Sequence, residues 1–492
     1  VSATTLYGDG SNLSGVGATI APLFYNPDTS DTEVELATTG IGITFNQQIK
    51  AGSGNVTLRL VGAAGTVVEN FGVGSSVSIS ENRVSFSPTS NLSEDTVYHL
   101  SYPSGCFTNN IGDSYAGTAY TFKAVNTFDY ELWSWGYNHV GQVGSNNRTY
   151  YSSPIQIPGT SWDYSATGGG YQGPVGAIRT DGTLWIWGDN NRGLLGQGQG
   201  PAQLARVSSP VQIPGTTWAY HRGGYQASLA TKTDGTLWVW GYSIAGGAGQ
   251  NNNVDYSSPT QITGTNWSTG RYKIQGGNSN FAIKTDGTLW TWGQNEYGAL
   301  GQNTRGPSAA NGVSSPTQIP GTTWDKIVGT RFHALAIKTD NTLWTWGLSN
   351  KGQLGQNDTV NRSSPVQVPG TTWSAVGLTY EVSLALKTDG TLWAWGDNEY
   401  GAVGDNSRVE KSSPVQVGSG TDWSYIANSW RGCVAGKTDG TLWSWGYNQG
   451  GMGALGHNSR TTCSSPVQIP GTDWVSASDG GSTGAVVAFK RV

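Results

Sequence analysis

Two strings in the sequence have the spacing of motifs that do chemistry. Gly480-Gly-Ser482-Thr-Gly484 matches the Gly-x-Ser-x-Gly spacing that presents a serine nucleophile on a strand-to-helix turn. Gly168-x-Gly170-x-x-Gly173 matches the glycine spacing of a dinucleotide-binding turn. Neither has the flanks its chemistry needs. The serine string is a polar loop entering the last strand with no helix after it, and the glycine string runs into Pro174 and a strand. Both are expected to be loops, so no catalytic residue is assigned and no dinucleotide is expected. Asp28, Asp31 and Glu33 form a small acidic cluster. A calcium site would need more carboxylates and carbonyls, and a solvated loop is the simpler reading. Cys106, Cys433 and Cys463 show neither metal spacing nor a disulfide framework. A Cys433–Cys463 bridge stays open, with free thiols the expectation. No cofactor and no metal are expected.

The scaffold that holds these residues is announced by composition. The 492 residues include 73 Gly and 22 Trp but a single Met, and 12% are charged, about half the usual quarter. Helices are carried by Glu, Lys, Met, Leu and Ala, so a helical protein is excluded. Disordered chains lack aromatic residues, so disorder is excluded too. An all-β, turn-rich protein is predicted. The net charge of −5 without a basic run gives no footprint for nucleic acid. No apolar stretch reaches the ~18 residues of a membrane helix, so no membrane insertion is expected. The chain opens on Val1 without a signal-peptide pattern, which leaves open a processed protein or a sequence that starts late.

The tryptophans are a repeat. Leu-Trp-x-Trp-Gly occurs seven times, with first tryptophans at Trp133, Trp185, Trp238, Trp290, Trp344, Trp393 and Trp443, a period of about 52 residues. Each copy is followed by Ser-Ser-Pro and then by Gly-Thr-x-Trp, at Trp162, Trp218, Trp267, Trp324, Trp373, Trp423 and Trp474. Only Trp430 falls outside this register. One repeat reads as four short strands, and Asp286-Gly287 between two apolar runs predicts a hairpin with a type I′ turn. The recurring Asp181, Asp234, Asp286, Asp340, Asp389 and Asp439 are assigned to that turn. Leu-Trp-x-Trp is apolar on both faces, as in a blade packed between two neighbours. Seven such blades predict a β-propeller. His139, His221, His333 and His457 fall at different repeat positions, which argues against a ring of metal ligands on the axis; His99 lies outside the repeats.

The ends of the repeat region predict how the ring closes. Asp129–Gly136 has no upstream Lys-Thr-Asp-Gly partner strand, and Ala485-Val-Val-Ala-Phe-Lys490-Arg-Val is that partner with nothing after it. Residues 485–491 are therefore predicted to pair antiparallel with residues 130–135, which removes the free sheet edges.

Trp292-Gly-Gln-Asn-Glu-Tyr-Gly298-Ala-Leu-Gly301 resembles the Trp-Gly-x-Asn-x-x-Gly-x-Leu-Gly signature of the regulator of chromosome condensation repeat family. Matching copies run from Trp187 to Gly196 and, with Val403 for Leu, from Trp395 to Gly404. Copies at Trp240 and Trp346 carry Ser243 and Ser349 in place of Asn, and the copy at Trp445 has an insertion around Met452. The resemblance implies the propeller and leaves function open, because exchange factors, ligase scaffolds and bacterial proteins share only this fold. The basic surfaces of a nuclear exchange factor are absent.

Before the repeats, residues 1–19 are small and polar and read as a flexible arm; their Gly-Asp-Gly-Ser-Asn-Leu string resembles N-terminal pieces of marine bacteriophage structural proteins. Residues 20–125 carry alternating runs at 41–45, 56–60, 77–79, 84–86, 97–100 and 120–122, which predict an antiparallel sandwich. They resemble the bacterial immunoglobulin-like domains of surface-layer proteins, implying a spacer or docking module. The predicted organisation is an arm (1–19), an immunoglobulin-like β-sandwich (20–125) and a seven-bladed β-propeller (126–492).

Loop lengths carry the functional expectation. Between Leu-Gly and Ser-Ser-Pro, five repeats have seven residues, the second has eleven (197–207) and the fourth twelve (302–313). Both insertions occupy one repeat position and should share a face, where binding loops on rigid scaffolds usually lie. Longer segments also follow Trp162 and Trp267. Tyr171, Gln172, Arg271, Tyr272, Arg305 and Trp430 are the candidate ligand-binding residues, against neutral drift of surface loops. The expectation is a non-enzymatic virion protein of a bacteriophage, a fibre or a capsid decoration. It would be held to other virion proteins through residues 1–125, and its propeller would bind a host-surface glycan or protein with weak salt dependence. A secreted or surface-layer adhesin is the alternative, followed by an enzyme with a site on the propeller axis. Homo-oligomerisation is left open.

Overall fold

The computed structural model describes residues 22–26, 34–35 and 41–491, except 61–65, 81, 87, 89–95, 116, 126–129, 160, 164–172, 307–311, 429–430, 449–452 and 479–483. These residues form strands and turns, with one 3-10 turn at Ile244–Gly246. The chain divides into two compact units, Val1–Phe128 and Asp129–Val492.

In the first unit all six predicted alternating runs fall on strands. One sheet orders Pro22–Asn26, Ile41–Phe45, Arg83–Phe86 and Ser78–Ser80; the other orders Val34–Glu35, Gly117–Val125, Thr96–Pro103, Asn55–Leu60 and Val67–Gly72. Alternation along a strand sends every second side chain inward. Ile41, Ile43 and Phe45 from one sheet thus share a buried core with Val56, Leu58 and Leu100 from the other. This is the immunoglobulin-like sandwich.

The second unit is seven antiparallel sheets, one per repeat, numbered here as blades 1–7 after the order of their Leu-Trp-x-Trp strands. Blade 1 is built from both ends of the unit. Tyr130–Gly136 pairs antiparallel with Ala485–Arg491, from Tyr130 opposite Arg491 to Gly136 opposite Ala485. Trp474–Ser478 lies inside this pair and Tyr151–Ile157 outside it. The predicted closure is present residue for residue. Blade 2 contains Val175–Ile178, Leu184–Asp189 and Arg206–Ile213. Blades 3 to 7 each have four strands, and their inner strands begin at Trp218, Ile274, Trp324, Trp373 and Trp423.

The three tryptophans of each repeat do different work. The second, such as Trp395, is wholly buried in all seven copies. Its Nε1 donates to a backbone carbonyl in the preceding blade: Trp395 to Gln353 (2.9 Å), Trp240 to Leu194 (2.7 Å) and, across the closure, Trp135 to Ala454 (3.1 Å). These bonds are staples between blades. The last Gly of the Leu-Gly signature is part of the same weld. Gly355 has φ +69° and a Cβ there would stand 2.8 Å from Trp395 Nε1. Gly355→Ala should therefore cost about 2–4 kcal/mol, a left-handed backbone penalty plus overpacking, read as a lowered denaturant midpoint with unchanged slope.

In each blade the first tryptophan of its own repeat and the third of the preceding repeat clasp a cation. Lys232, Lys284, Lys338, Lys387 and Lys437 each place Nζ 4.0–5.0 Å from two indole rings, and Arg179 does the same in blade 2. In blade 1 the cation is Lys490, over Trp133 and Trp474. The closing strand thus completes the sandwich that the first repeat lacks.

The Asp-Gly hairpins differ from the type I′ expectation. Gly287 has φ +75°, whereas Asp286 is not among the positive-φ residues. Gly287 N donates to Lys284 O and Lys284 N to Thr288 O, both at 2.9 Å. These bonds define a three-residue loop with glycine in the left-handed position. The extra residue frees the aspartate side chain to act. Asp286 Oδ1 accepts from Thr288 N (3.0 Å) and Thr288 Oγ1 (2.7 Å), and Thr288 Oγ1 accepts from Trp290 Nε1 (2.9 Å). All six copies repeat this relay, and the threonine bonds hold each carboxyl below the usual aspartate range.

Candidate functional site

Antiparallel strands fix which loops share a face of the ring. The connections from inner to second strand and from third to outer strand emerge together, while the Asp-Gly turns lie on the opposite face. The first of these faces holds the signature loops and the insertion at 197–207.

That insertion is ordered by its own signature. Asn190 Nδ2 donates to Gln199 O (3.0 Å) and Leu204 O (2.6 Å), and Asn190 Oδ1 accepts from Leu195 N (2.9 Å). In blade 3, Ser243 stands in place of the asparagine: its Oγ accepts from Ala248 N (3.2 Å) and donates to Asn252 O (3.3 Å), and Asp255 Oδ1 accepts from Ser243 N (2.8 Å). Between these two loops opens a cavity of about 690 Å³ lined by Asp189, Arg192, Pro201, Tyr225, Tyr242 and Asp255, among others. The Arg192 guanidinium lies 4.2 Å from the Tyr242 ring centre and 5.0 Å from that of Tyr225. Asp189 ends the third strand of blade 2 and is 2% exposed; its Oδ1 has no hydrogen-bond partner. Burial pushes its carboxyl up to about 6, against backbone N–H bonds and the two nearby arginines.

The same face carries a second cluster across blades 4 to 7. Tyr297 meets Phe332 at 5.6 Å between ring centres, and Phe332 meets Tyr380 edge-on at 4.5 Å. Arg431 lies over Tyr380 and Tyr400 at 5.4 and 5.3 Å, and Tyr400 meets Tyr447 at 4.7 Å. One cation, Arg431, sits among five aromatic rings along this row, a surface suited to stacking.

A family model for the RCC1-like domain matches residues 175–486, and one for a bacterial Ig-like domain matches residues 19–124. The chain belongs to the RCC1-like domain family. The human E3 ubiquitin-protein ligase HERC2 is 27% identical over 237 residues, which are 46% of this chain and 5% of the ligase. The ultraviolet-B receptor UVR8 of Arabidopsis thaliana is 28% identical over 247 residues, 48% of this chain and 53% of the receptor. Among solved structures, Prp20p of Saccharomyces cerevisiae aligns with TM-score 0.63 and 19% identity, covering 75% of this chain and 93% of Prp20p; its structure was described with its binding properties to Gsp1p and histones. Human WBSCR16 aligns with TM-score 0.63 and 18% identity, covering 74% of this chain and 99% of that one. These likenesses establish the fold.

In this RCC1-like propeller the sequence-predicted ligand residues separate. Tyr171, Gln172 and Trp430 lie outside the described residues, as do Asp28, Asp31, Glu33 and the serine of the Gly-x-Ser-x-Gly string. Arg305 is exposed at the start of the second insertion. Arg271 and Tyr272 do not join an outward loop. Ser268 N donates to Ile283 O and Ile283 N donates to Lys273 O (both 2.9 Å), so the extra residues after Trp267 bulge from the inner strand of blade 4. Arg271 thereby crosses the ring. Its guanidinium donates to Ile426 O of blade 7 and, in blade 1, to Ala477 O (3.0 Å) and Ser476 Oγ (3.2 Å). Blades 7 and 1 are the two opposite blade 4 in a ring of seven. Tyr272 packs beneath Arg271, 5.2 Å from its guanidinium, and accepts from Ile327 N (2.8 Å). Arg271→Met should destabilise the propeller by about 3 kcal/mol, because charge-assisted bonds to buried carbonyls are lost, measured by chemical denaturation.

His221 and His333 are buried in separate environments. His221 is buried, stacked on Trp240 at 5.7 Å and set against Gly176 of blade 2. His333 Nε2 lies 3.0 Å from Ser383 Oγ of blade 6. Cys106, Cys433 and Cys463 are free thiols. Asp189, Arg192, Tyr225, Tyr242 and Asp255 were not singled out in the sequence. Their signal is variation within the repeat: the position after Trp-x-Trp-Gly holds Tyr137, Asp189, Tyr242, Gln294, Leu348, Asp397 and Tyr447 in the seven copies, so the fold does not dictate it.

Proposed function

We propose that this chain is a non-enzymatic recognition protein of a bacteriophage particle. Residues 1–125 attach it to other virion proteins, and the RCC1-like propeller binds a host-surface glycan or protein or, as a decoration, stabilises the particle. The observation that carries the reading is the loop face, where cationic and aromatic side chains gather on a ring welded by indole staples. Sites of this kind bind by shape and stacking. Arg271 occupies the axis on which a pore-centred enzymatic site would sit, which favours recognition over catalysis. The relatives' protein partners keep a protein ligand within the reading. The arm's likeness to phage structural proteins supports a virion over a secreted or surface-layer adhesin.

Immunogold labelling of purified particles with an antibody to the propeller tests the location. Regular labelling of particles is expected; labelling of the bacterial surface in uninfected cells would replace the virion with the adhesin. Binding of the full chain to intact bacteria, competed by Tyr400→Ala and Tyr242→Ala variants less well than by the parent, tests recognition.

A further inference from the structure

We infer that the cavity between blades 2 and 3 is a subsite for a neutral saccharide, held by Asp189, Arg192 and the rings of Tyr225 and Tyr242. The inference rests on the recognition reading and names its ligand class. Three observations converge here. The cavity, about 690 Å³, falls within the range of small-molecule sites. Asp189, 2% exposed, brings to it a carboxylate whose Oδ1 is buried without a hydrogen-bond partner. An uncompensated buried acceptor costs stability unless something pairs with it, and native proteins pair nearly all such atoms. The insertion at 197–207 supplies Gly200 and Pro201 to the lining, so the loop that departs from the repeat is the loop that builds the site.

The chemistry of the lining selects the ligand. A carboxylate only accepts hydrogen bonds and a guanidinium only donates them. A group that satisfies both at once must donate and accept, as hydroxyls and amides do; the hydroxyl is the one that a ring able to lie against tyrosine carries. Vicinal hydroxyls on one ring can span such a pair. The C–H groups of a sugar pack on aromatic rings, and the half-buried Tyr225 and Tyr242 line the cavity, with Arg192 over one face of each. Charge disfavours an anion: the lining sets Asp189 and Asp255 against Arg192, and Arg206, outside the lining, offsets Asp189 through space. Nothing in the lining demands an anionic ligand.

The test uses the full chain on an array of neutral and acidic oligosaccharides, followed by calorimetry with the best ligand. Parent, Asp189→Asn, Tyr242→Ala and Tyr400→Ala chains are compared, each checked for an unchanged near-ultraviolet circular dichroism spectrum. Asn keeps the shape of Asp189 and guards against a folding artefact. The expected result is binding of a neutral glycan, weakened at least tenfold by Asp189→Asn and by Tyr242→Ala and far less by Tyr400→Ala. Loss on Tyr400→Ala alone would overturn this subsite while leaving recognition intact on the second cluster. Binding only of acidic glycans would overturn the neutral class. No glycan binding, with bacteria still bound, would overturn the saccharide and point to a protein ligand; no binding to bacteria either would overturn the recognition reading itself.

Discussion

Deleting residues 485–492 abolishes the cooperative melt of the propeller. The strand Ala485–Arg491 pairs on both sides, with Tyr130–Gly136 and with Trp474–Ser478. Ala485 to Phe489 are at most 1% exposed. Truncating one buried phenylalanine already costs about 3–5 kcal/mol. Removing the strand also discards two hydrogen-bond ladders and takes Lys490 from between Trp133 and Trp474. The sum exceeds the roughly 5–15 kcal/mol of a typical folded domain. Two strands would be left with bare edges, the condition that promotes aggregation. Calorimetry and near-ultraviolet circular dichroism of full-length and truncated chains should show the propeller transition in the first and not in the second. A synthetic peptide of residues 484–492 should restore it. A truncated chain with an unchanged sharp transition would refute the account of ring closure.

Acid should unfold the propeller well before its surface carboxylates alone would predict. His221 and His333 are wholly buried, and burial lowers each imidazole from about 6.5 to about 3. In the unfolded chain both rings take up a proton near pH 6.5, whereas in the folded chain they stay neutral. Below that pH the unfolded state binds more protons, so stability falls as pH falls. At pH 4.5, two units below the unfolded value, each histidine costs about 2–3 kcal/mol. Together they consume about 5 kcal/mol, comparable to a whole domain's margin. The six turn aspartates add to the loss lower down. Their folded values lie below the unfolded one, so their contribution is complete above about pH 4 and disappears as pH drops through the folded values. Denaturation curves from pH 8 to 4.5 should show a steady decline beginning near 6.5. In a His221→Gln, His333→Gln double variant, each curve normalised to its own value at pH 8, that decline should largely vanish. Persistence of the full slope would mean that other groups carry it.

Much of this architecture is written in the spacing of tryptophans. An indole repeated at a constant period has one environment repeated, so position along the chain counted the blades and the split first repeat foretold the closing strand. The recurring asparagine of the signature was equally legible, and at Ser243 the hydroxyl takes over its loop bonds, accepting from Ala248 N and donating to Asn252 O. The hairpin was legible as a place but not as a geometry. Asp-Gly allows two turn types, and the threonine that follows chose the three-residue form by bonding to the aspartate and to the tryptophan beyond it.

Arg271 marks where that reading stops. Extra length after Trp267 shows in the sequence, but length has no direction, and only the ring tells whether a bulge points to solvent or across the axis. The cavity between blades 2 and 3 stops it again, because its walls come from separate stretches of two repeats that meet when neighbouring blades pack. Fold class, the seven blades and the closure follow from short-range periodicity and strand pairing, and these can be read along the chain. Which side chains face one another depends on how a closed ring curves distant segments together, and no local pattern encodes that.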